Sequence, residues 1–170
     1  MATIATNPAT PVSCLVFFDF GCPHCQECYT AAAALVERFP QCVHFRFKHF
    51  PLERDCNAEL DATVHSGACR GAAAGQAAQA FGKDAGALKL LFEHRVHGFG
   101  KLVTDKIARQ LGIPAGEWAG MLASTRVQGL VARDIRDGNA LDLRGVPVAY
   151  VNGRPVDPKR LADAIQRLCR

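Results

Sequence analysis

The chain is 170 residues long, about one domain's worth and enough for a full hydrophobic core, so two independent catalytic domains are not expected. Apolar residues at 49% and charged residues at 21% lie near globular averages and argue against disorder or a fibrous repeat. Twenty Lys and Arg against sixteen Asp and Glu leave +4 with no basic run, which gives a nucleic-acid surface nothing to rest on, whereas eight cysteines point to chemistry carried by sulfur.

Residues 1–13, MATIATNPATPVS, carry neither a basic n-region nor an apolar h-region, and no apolar run reaches the roughly 18 residues of a membrane span. Heavy cysteine usage suits an oxidising compartment. The expectation is a periplasmic or otherwise extracytoplasmic domain whose targeting segment has been removed; a cytosolic protein with reduced thiols is the alternative.

Cys14 to Phe20 is a nearly continuous apolar run, the pattern of a strand buried on both faces, and Gly21 ends it. Pro23 suits the first position of a helix that runs through Ala31–Val36 to Pro40. Cys42 to Phe50 alternates as a second strand, so the three elements form a right-handed parallel unit. From Glu53 to about Ala140 the signals are helical: Ala68–Phe81, Leu88–Val96, Thr104–Leu111 and Glu117–Arg136. Gly67, Gly71 and Gly75 recur every fourth residue and predict the close approach of another helix. Strand pattern returns at Gly145–Val151. Asn152-Gly153 then predicts an antiparallel hairpin with Arg154-Pro155-Val156, because both turn residues tolerate positive φ. Asp157 as N-cap, Pro158 in the first turn and the stripe Leu161, Ile165, Leu168 predict a closing helix. The expected organisation is α/β: residues 12–52 as one half of a sheet domain, 53–140 as an all-helical insertion and 141–170 as the other half.

Chemistry concentrates at Cys22-Pro23-His24-Cys25, where the strand turns into the helix. A sulfur at a helix N-terminus meets unpaired N–H groups and the positive dipole end, which stabilise its thiolate. Cys22 is therefore the expected exposed nucleophile and Cys25 the buried resolving thiol, with His24 adding a donor or a positive charge beside Cys22. A stabilised thiolate favours the reduced form, so the disulfide becomes an oxidant.

The strand, the C-P-H-C dithiol, the long helical segment and the later Gly145-Val146-Pro147 before a hairpin resemble the DsbA family of the thioredoxin fold, over roughly Pro11 to Arg170. The resemblance implies a thioredoxin-like mixed sheet of four or five strands, a first Cys that exchanges (Cys22), a second that resolves (Cys25), and a cis-proline loop at Val146-Pro147 that holds an extended substrate, its groove shaped by Val146 and Tyr150. It implies reduced or unfolded proteins as substrates, reoxidation by a membrane quinone-linked partner of the DsbB or vitamin K epoxide reductase type, and no cofactor. His49-Phe50-Pro51-Leu52, Cys56-Asn57 and His65-Ser66-Gly67-Ala68-Cys69 are similar to thioredoxin-like domains associated with vitamin K epoxide reductase homologues. Many relatives carry a buried carboxylate six residues before the first active-site Cys, a position held here by Val16. Asp19 is either a substitute for it or, as preferred, a strand-end carboxylate.

The remaining cysteines and histidines read as structural. Cys56 and Cys69 flank a turn-like stretch and are expected to close a loop of about 14 residues, for which chain entropy allows near 3 kcal/mol. Cys14 and Cys42 open neighbouring strands and are expected to be buried free thiols; Cys169 packs by the terminal stripe. Cys28 extends the motif to C-x2-C-x2-C, which suits a zinc, copper or iron–sulfur domain, the first alternative function. Packing behind Cys25 is preferred, and no metal is expected. A glutathione-linked transferase or isomerase is the second alternative. His44, His49 and His65 read as ordinary polar positions, and His94 and His97 as solvent-facing.

Overall fold

A computed structural model describes residues 11–169; the polar lead of residues 1–10, part of the segment read above for targeting signals, lies outside them. Among the described residues four strands form one mixed sheet in the order β2-β1-β3-β4. β1 (Val12–Phe18) and β2 (Val43–His49) run parallel, with Val12 opposite Val43 and Phe18 opposite His49, joined by α1 (Pro23–Arg38). β3 (Val148–Val151) runs antiparallel to β1, and β4 (Arg154–Val156) antiparallel to β3. The apolar run of β1 follows from covered faces: Cys14, Val16 and Phe18 enter the main core, while Phe17 joins a second cluster with Phe50, Leu52, Leu60 and Leu143. The hairpin turn has φ of 49° at Asn152 and 77° at Gly153. It is locked to β1 by Ser13 N–H donating to Asn152 Oδ1 at 2.9 Å and Asn152 N–H to the Ser13 carbonyl at 2.8 Å.

Five helices separate β2 from β3: α2 (Ala68–Ala80), α3 (Asp84–His94), α4 (Lys101–Gln110), α5 (Ala115–Ala123) and α6 (Thr125–Ala140). The single helix expected over Glu117–Arg136 is broken at Ser124. Its backbone is extended at ψ 144°, and its hydroxyl accepts the Val127 N–H at 3.2 Å, so the serine caps a new helix instead of continuing the old one. The Gly71 and Gly75 spacing also serves a different purpose from the one expected. A Cβ at Gly71 would stand 2.9 Å from the Phe99 ring, and one at Gly75 would stand 2.8 Å from the His49 ring and 3.0 Å from that of Phe20. These two glycines admit aromatic and imidazole rings, while a Cβ at Gly67 would stand 3.3 Å from the Phe99 backbone nitrogen.

The chain closes as Asp157 accepts the Lys159 N–H at 3.0 Å, a 3₁₀ turn follows at Pro158–Arg160, and α7 (Leu161–Leu168) buries Leu161 and Ile165. α7 packs on α1 and β3, which carries Cys169 back to the start of β2. There it forms a disulfide with Cys42 across a Cα separation of 5.8 Å. This corrects the free-thiol reading of Cys42 and the packing reading of Cys169. The partners are 127 residues apart, so no local pattern announces them. Cys14 is buried and free.

Candidate active site

β1 ends at Phe18, and the chain turns through Asp19-Phe20-Gly21, with the Cys22 N–H donating to the Asp19 carbonyl at 3.1 Å. Cys22 is the N-cap of α1, in extended backbone (φ −85°, ψ 121°), with Pro23 in the first turn, no acidic residue there and no side-chain cap. The unpaired N–H groups of that turn therefore surround the sulfur. The thiol of Cys22 is lowered from an ordinary value of 9.0 to about 6: the hydrogen bond from the Cys25 thiol does most, the Cys25 and His24 backbone N–H groups and the field of His65 add to it, and burial opposes them. Cys25, one turn on and 1% exposed, moves the other way because its thiolate would be desolvated, although the Asp19 N–H donates to its sulfur at 3.5 Å. Cys22 itself is 5% exposed rather than open, because its thiol sits against the Val146 carbonyl at 3.7 Å.

The Val146–Pro147 peptide bond is cis. Pro147 borders a cleft of about 540 Å³ that also touches His24, Cys28, Ala31 and Pro158. The structure thus brings Cys22, Cys25, Val146 and Pro147 together. It does not bring Tyr150 to them. Pleat alternation places Tyr150 with Leu15 and Val148 on the Phe17–Phe50 face, beside Ser13 and Arg46. Nor does the His24 ring reach the sulfur: Nδ1 lies 3.3 Å from Glu27 Oε2, both side chains exposed, so His24 acts on Cys22 through its backbone.

Asp19 and His65 form a pair that the sequence reading treated as two unrelated polar positions. Asp19 is 2% exposed; Oδ1 accepts the Gly21 N–H at 2.7 Å, and Oδ2 accepts the Leu52 N–H at 2.8 Å and the His65 Nδ1–H at 2.8 Å. The imidazole lies on Gly21, where a Cβ would stand 2.7 Å from His65 Cβ. Asp19 is thus a buried site carboxylate and not simply a strand-end one. The Asp at a strand end before Gly-Cys was a usable signal; nothing linked His65 to it across 46 residues.

The loop bearing His65 is closed by a Cys56–Cys69 disulfide. Buried Glu53 accepts the Gly67 N–H at 2.7 Å and the Cys69 N–H at 2.8 Å, filling the start of α2. Cys28 is a buried thiol that desolvation pushes up to about 11. Among the described residues no three His, Cys, Asp or Glu side chains converge as a metal-ligand group. His49, read as an ordinary polar position, is buried against Phe18 and Phe20, and burial lowers it to about 4.

A family model described as a DSBA-like thioredoxin domain matches residues 14–167. The fold is similar to that of a thioredoxin-like oxidoreductase from Silicibacter pomeroyi DSS-3, at TM-score 0.67 and 21% identity over 95% of this chain and 88% of that one. DsbA from Klebsiella pneumoniae gives TM-score 0.69 and 21% identity over 99% and 92%. The thiol-disulfide exchange protein alpha-DsbA2 from Wolbachia pipientis gives 0.71 and 14% over 95% and 84%. A curated relative, Na(+)/H(+) antiporter NhaA 1 of Mycolicibacterium gilvum (strain PYR-GCK), is 26% identical over 165 residues, 94% of this chain but 25% of the relative. The chain thus spans about a quarter of that relative's length. With the family model matched over nearly its whole length and a dithiol set at the start of α1, the chain belongs to the DSBA-like thioredoxin domain family.

Proposed function

We propose that the chain is a thiol–disulfide oxidoreductase that passes a Cys22–Cys25 disulfide to reduced proteins. The observation that carries this reading is the placement of one dithiol at the start of α1: Cys22 is the N-cap beside the Val146 carbonyl, and Cys25 is buried one turn on, which lowers the first thiol and raises the second. A substrate thiolate attacks Cys22 Sγ, the Cys22–Cys25 bond breaks, and Cys25 leaves and takes up a proton. A second substrate thiolate, formed by loss of its own proton, then attacks the substrate sulfur of the mixed disulfide and expels the Cys22 thiolate. The substrate loses two electrons and gains a disulfide; the Cys22–Cys25 disulfide gains both electrons and becomes the dithiol. Because Cys22 is the better leaving group, the second step runs toward release, and the stabilised thiolate makes the disulfide oxidising.

The Val146–Pro147 loop supports extended-chain docking beside Cys22, since backbone pairing reads no side chain and suits many unfolded substrates. Family membership supports reoxidation by a separate partner and work outside the cytoplasm. The reoxidant proposed for that step is a membrane quinone-linked protein of the DsbB or vitamin K epoxide reductase type. The test is oxidation of a reduced, unfolded protein by the oxidised chain, with its Cys22–Cys25 potential measured against glutathione. Substrate disulfides formed with matching loss of the Cys22–Cys25 bond are expected. No transfer, or a couple as reducing as glutathione or more so, overturns the oxidase reading.

A further inference from the structure

The exchange steps above leave unused an acid–base pair beside the dithiol, a buried Asp19 and a partly exposed His65. Asp19 joins β1 to the active-site turn, and its backbone N–H already donates to Cys25 Sγ. A carboxylate there opposes a second negative charge on sulfur: the charge of Asp19 helps to raise Cys25, whereas that of His65 helps to lower Cys22. His65 comes from outside the sheet, and its position is fixed from several directions. The Val64 and His65 N–H groups both donate to the Leu52 carbonyl, at 2.8 and 3.1 Å, while the Leu52 N–H donates to Asp19. The Cys56–Cys69 disulfide closes the loop, and Glu53 holds its exit. Gly21 leaves the imidazole room that any side chain would take.

We propose that His65 is a positioning residue for the dithiol, presented by the disulfide-closed loop 56–69, and that by pairing the buried carboxylate of Asp19 it frees the Cys22 and Cys25 sulfurs from an uncompensated negative charge. The proposal rests on the reading of Cys22 and Cys25 as the redox couple. Of the charged and titratable groups, Asp19 at the end of β1 is hydrogen-bonded to His65 and Cys22 lies within its field, while Cys25 meets the Asp19 N–H and the Glu53 carboxylate is occupied by the Gly67 and Cys69 N–H groups. The other charged pair at the start of α1, His24 with Glu27, is exposed.

The experiment uses the full chain and follows alkylation of Cys22 against pH by peptide mass spectrometry, with the Cys22–Cys25 equilibrium against a reference dithiol as the second readout. His65→Ala is expected to raise the Cys22 midpoint by about one unit and to make the couple about five-fold less oxidising at neutral pH. His65→Gln keeps a donor for Asp19 without the imidazole and is expected to move both readouts less; it also serves if the alanine variant does not fold. Adding Asp19→Asn to His65→Ala removes the stranded carboxylate and should recover at least half of the shift. A merely structural His65 would lower stability without this recovery. If both single variants titrate like the parent chain, or if the double variant recovers nothing, the proposal is overturned. If the parent dithiol does not equilibrate with the reference, the functional reading fails and takes the proposal with it; a normal parent couple with unmoved variants overturns the proposal alone.

Discussion

Two helices in this protein begin beside a cysteine, and the two sulfurs have opposite environments. At α1 the N-cap is Cys22 itself, the first turn holds no acid, and the unpaired N–H groups are left to the sulfur. At α2 the N-cap is Gly67, Cys69 follows two residues later, and the carboxylate of Glu53 occupies the Gly67 and Cys69 N–H groups. The first start leaves positive potential for a thiolate; the second has its donors satisfied and its sulfur closed in a disulfide. A helix N-terminus therefore does not make a cysteine reactive by itself. What matters is whether another anion has already claimed the same donors.

The largest effect should come from removing the sulfur at the open start. Cys22→Ala is expected to abolish disulfide transfer to a reduced protein, whereas Cys25→Ser should accumulate mixed disulfides through Cys22, seen as slow bands on non-reducing gels. Alkylation at mildly acidic pH that labels Cys25 or Cys28 before Cys22 would break the comparison.

Next in size are the closed sulfurs. Chain entropy gives about 5 kcal/mol for the long Cys42–Cys169 loop and about 3 kcal/mol for the short Cys56–Cys69 loop. The Cys42→Ala/Cys169→Ala chain should thus unfold at lower denaturant than Cys56→Ala/Cys69→Ala, and both below the parent. The reverse order would show that the short loop braces more than its own closure.

A smaller effect follows from the titration of Cys22, whose folded value of about 6 lies below an unfolded value near 9. For such a group the contribution to stability is full above the unfolded value and is lost as pH falls through the folded one. Stability of the reduced protein relative to the oxidised one should therefore rise between about pH 6 and 8, by at most about 1.4 kcal/mol per unit. Parallel unfolding curves of the two redox forms across that range would contradict it. Smallest of all is His24→Ala, because the ring faces Glu27 and the contribution to Cys22 comes through a backbone N–H that alanine keeps. The potential should move by less than the change in His65→Ala, and a larger change would return the imidazole to the sulfur.

What could be read from the chain was what is local. The run from Cys14 to Phe20, the Gly-Cys-Pro junction and Asn152-Gly153 each state their geometry within a few residues, and together they set β1, the start of α1 and the β3–β4 hairpin. Ser124 escaped because Ala123 and Thr125 keep the flanking pattern helical while one capping hydroxyl ends it. The Asp19–His65 pair and the Cys42–Cys169 bond join residues 46 and 127 positions apart, distances over which periodicity carries no information. Tyr150 was misplaced for a different reason: its nearness to Pro147 in sequence says nothing about which face of the sheet the pleat turns it toward.

Among the described residues the sheet ends on one side at β2, with no further strand beside its outer edge. Such an edge is a template for aggregation, and a protein proposed to meet unfolded chains would encounter the hazard constantly. β2 carries His44, Arg46 and Lys48 at alternate positions, Lys48 is paired to Asp137, and the His49 N–H is taken by Asp134 at 3.1 Å, both acids lying on α6. Positive charge and a borrowed helix blunt this edge, which lowers the hazard of an extended chain pairing with it.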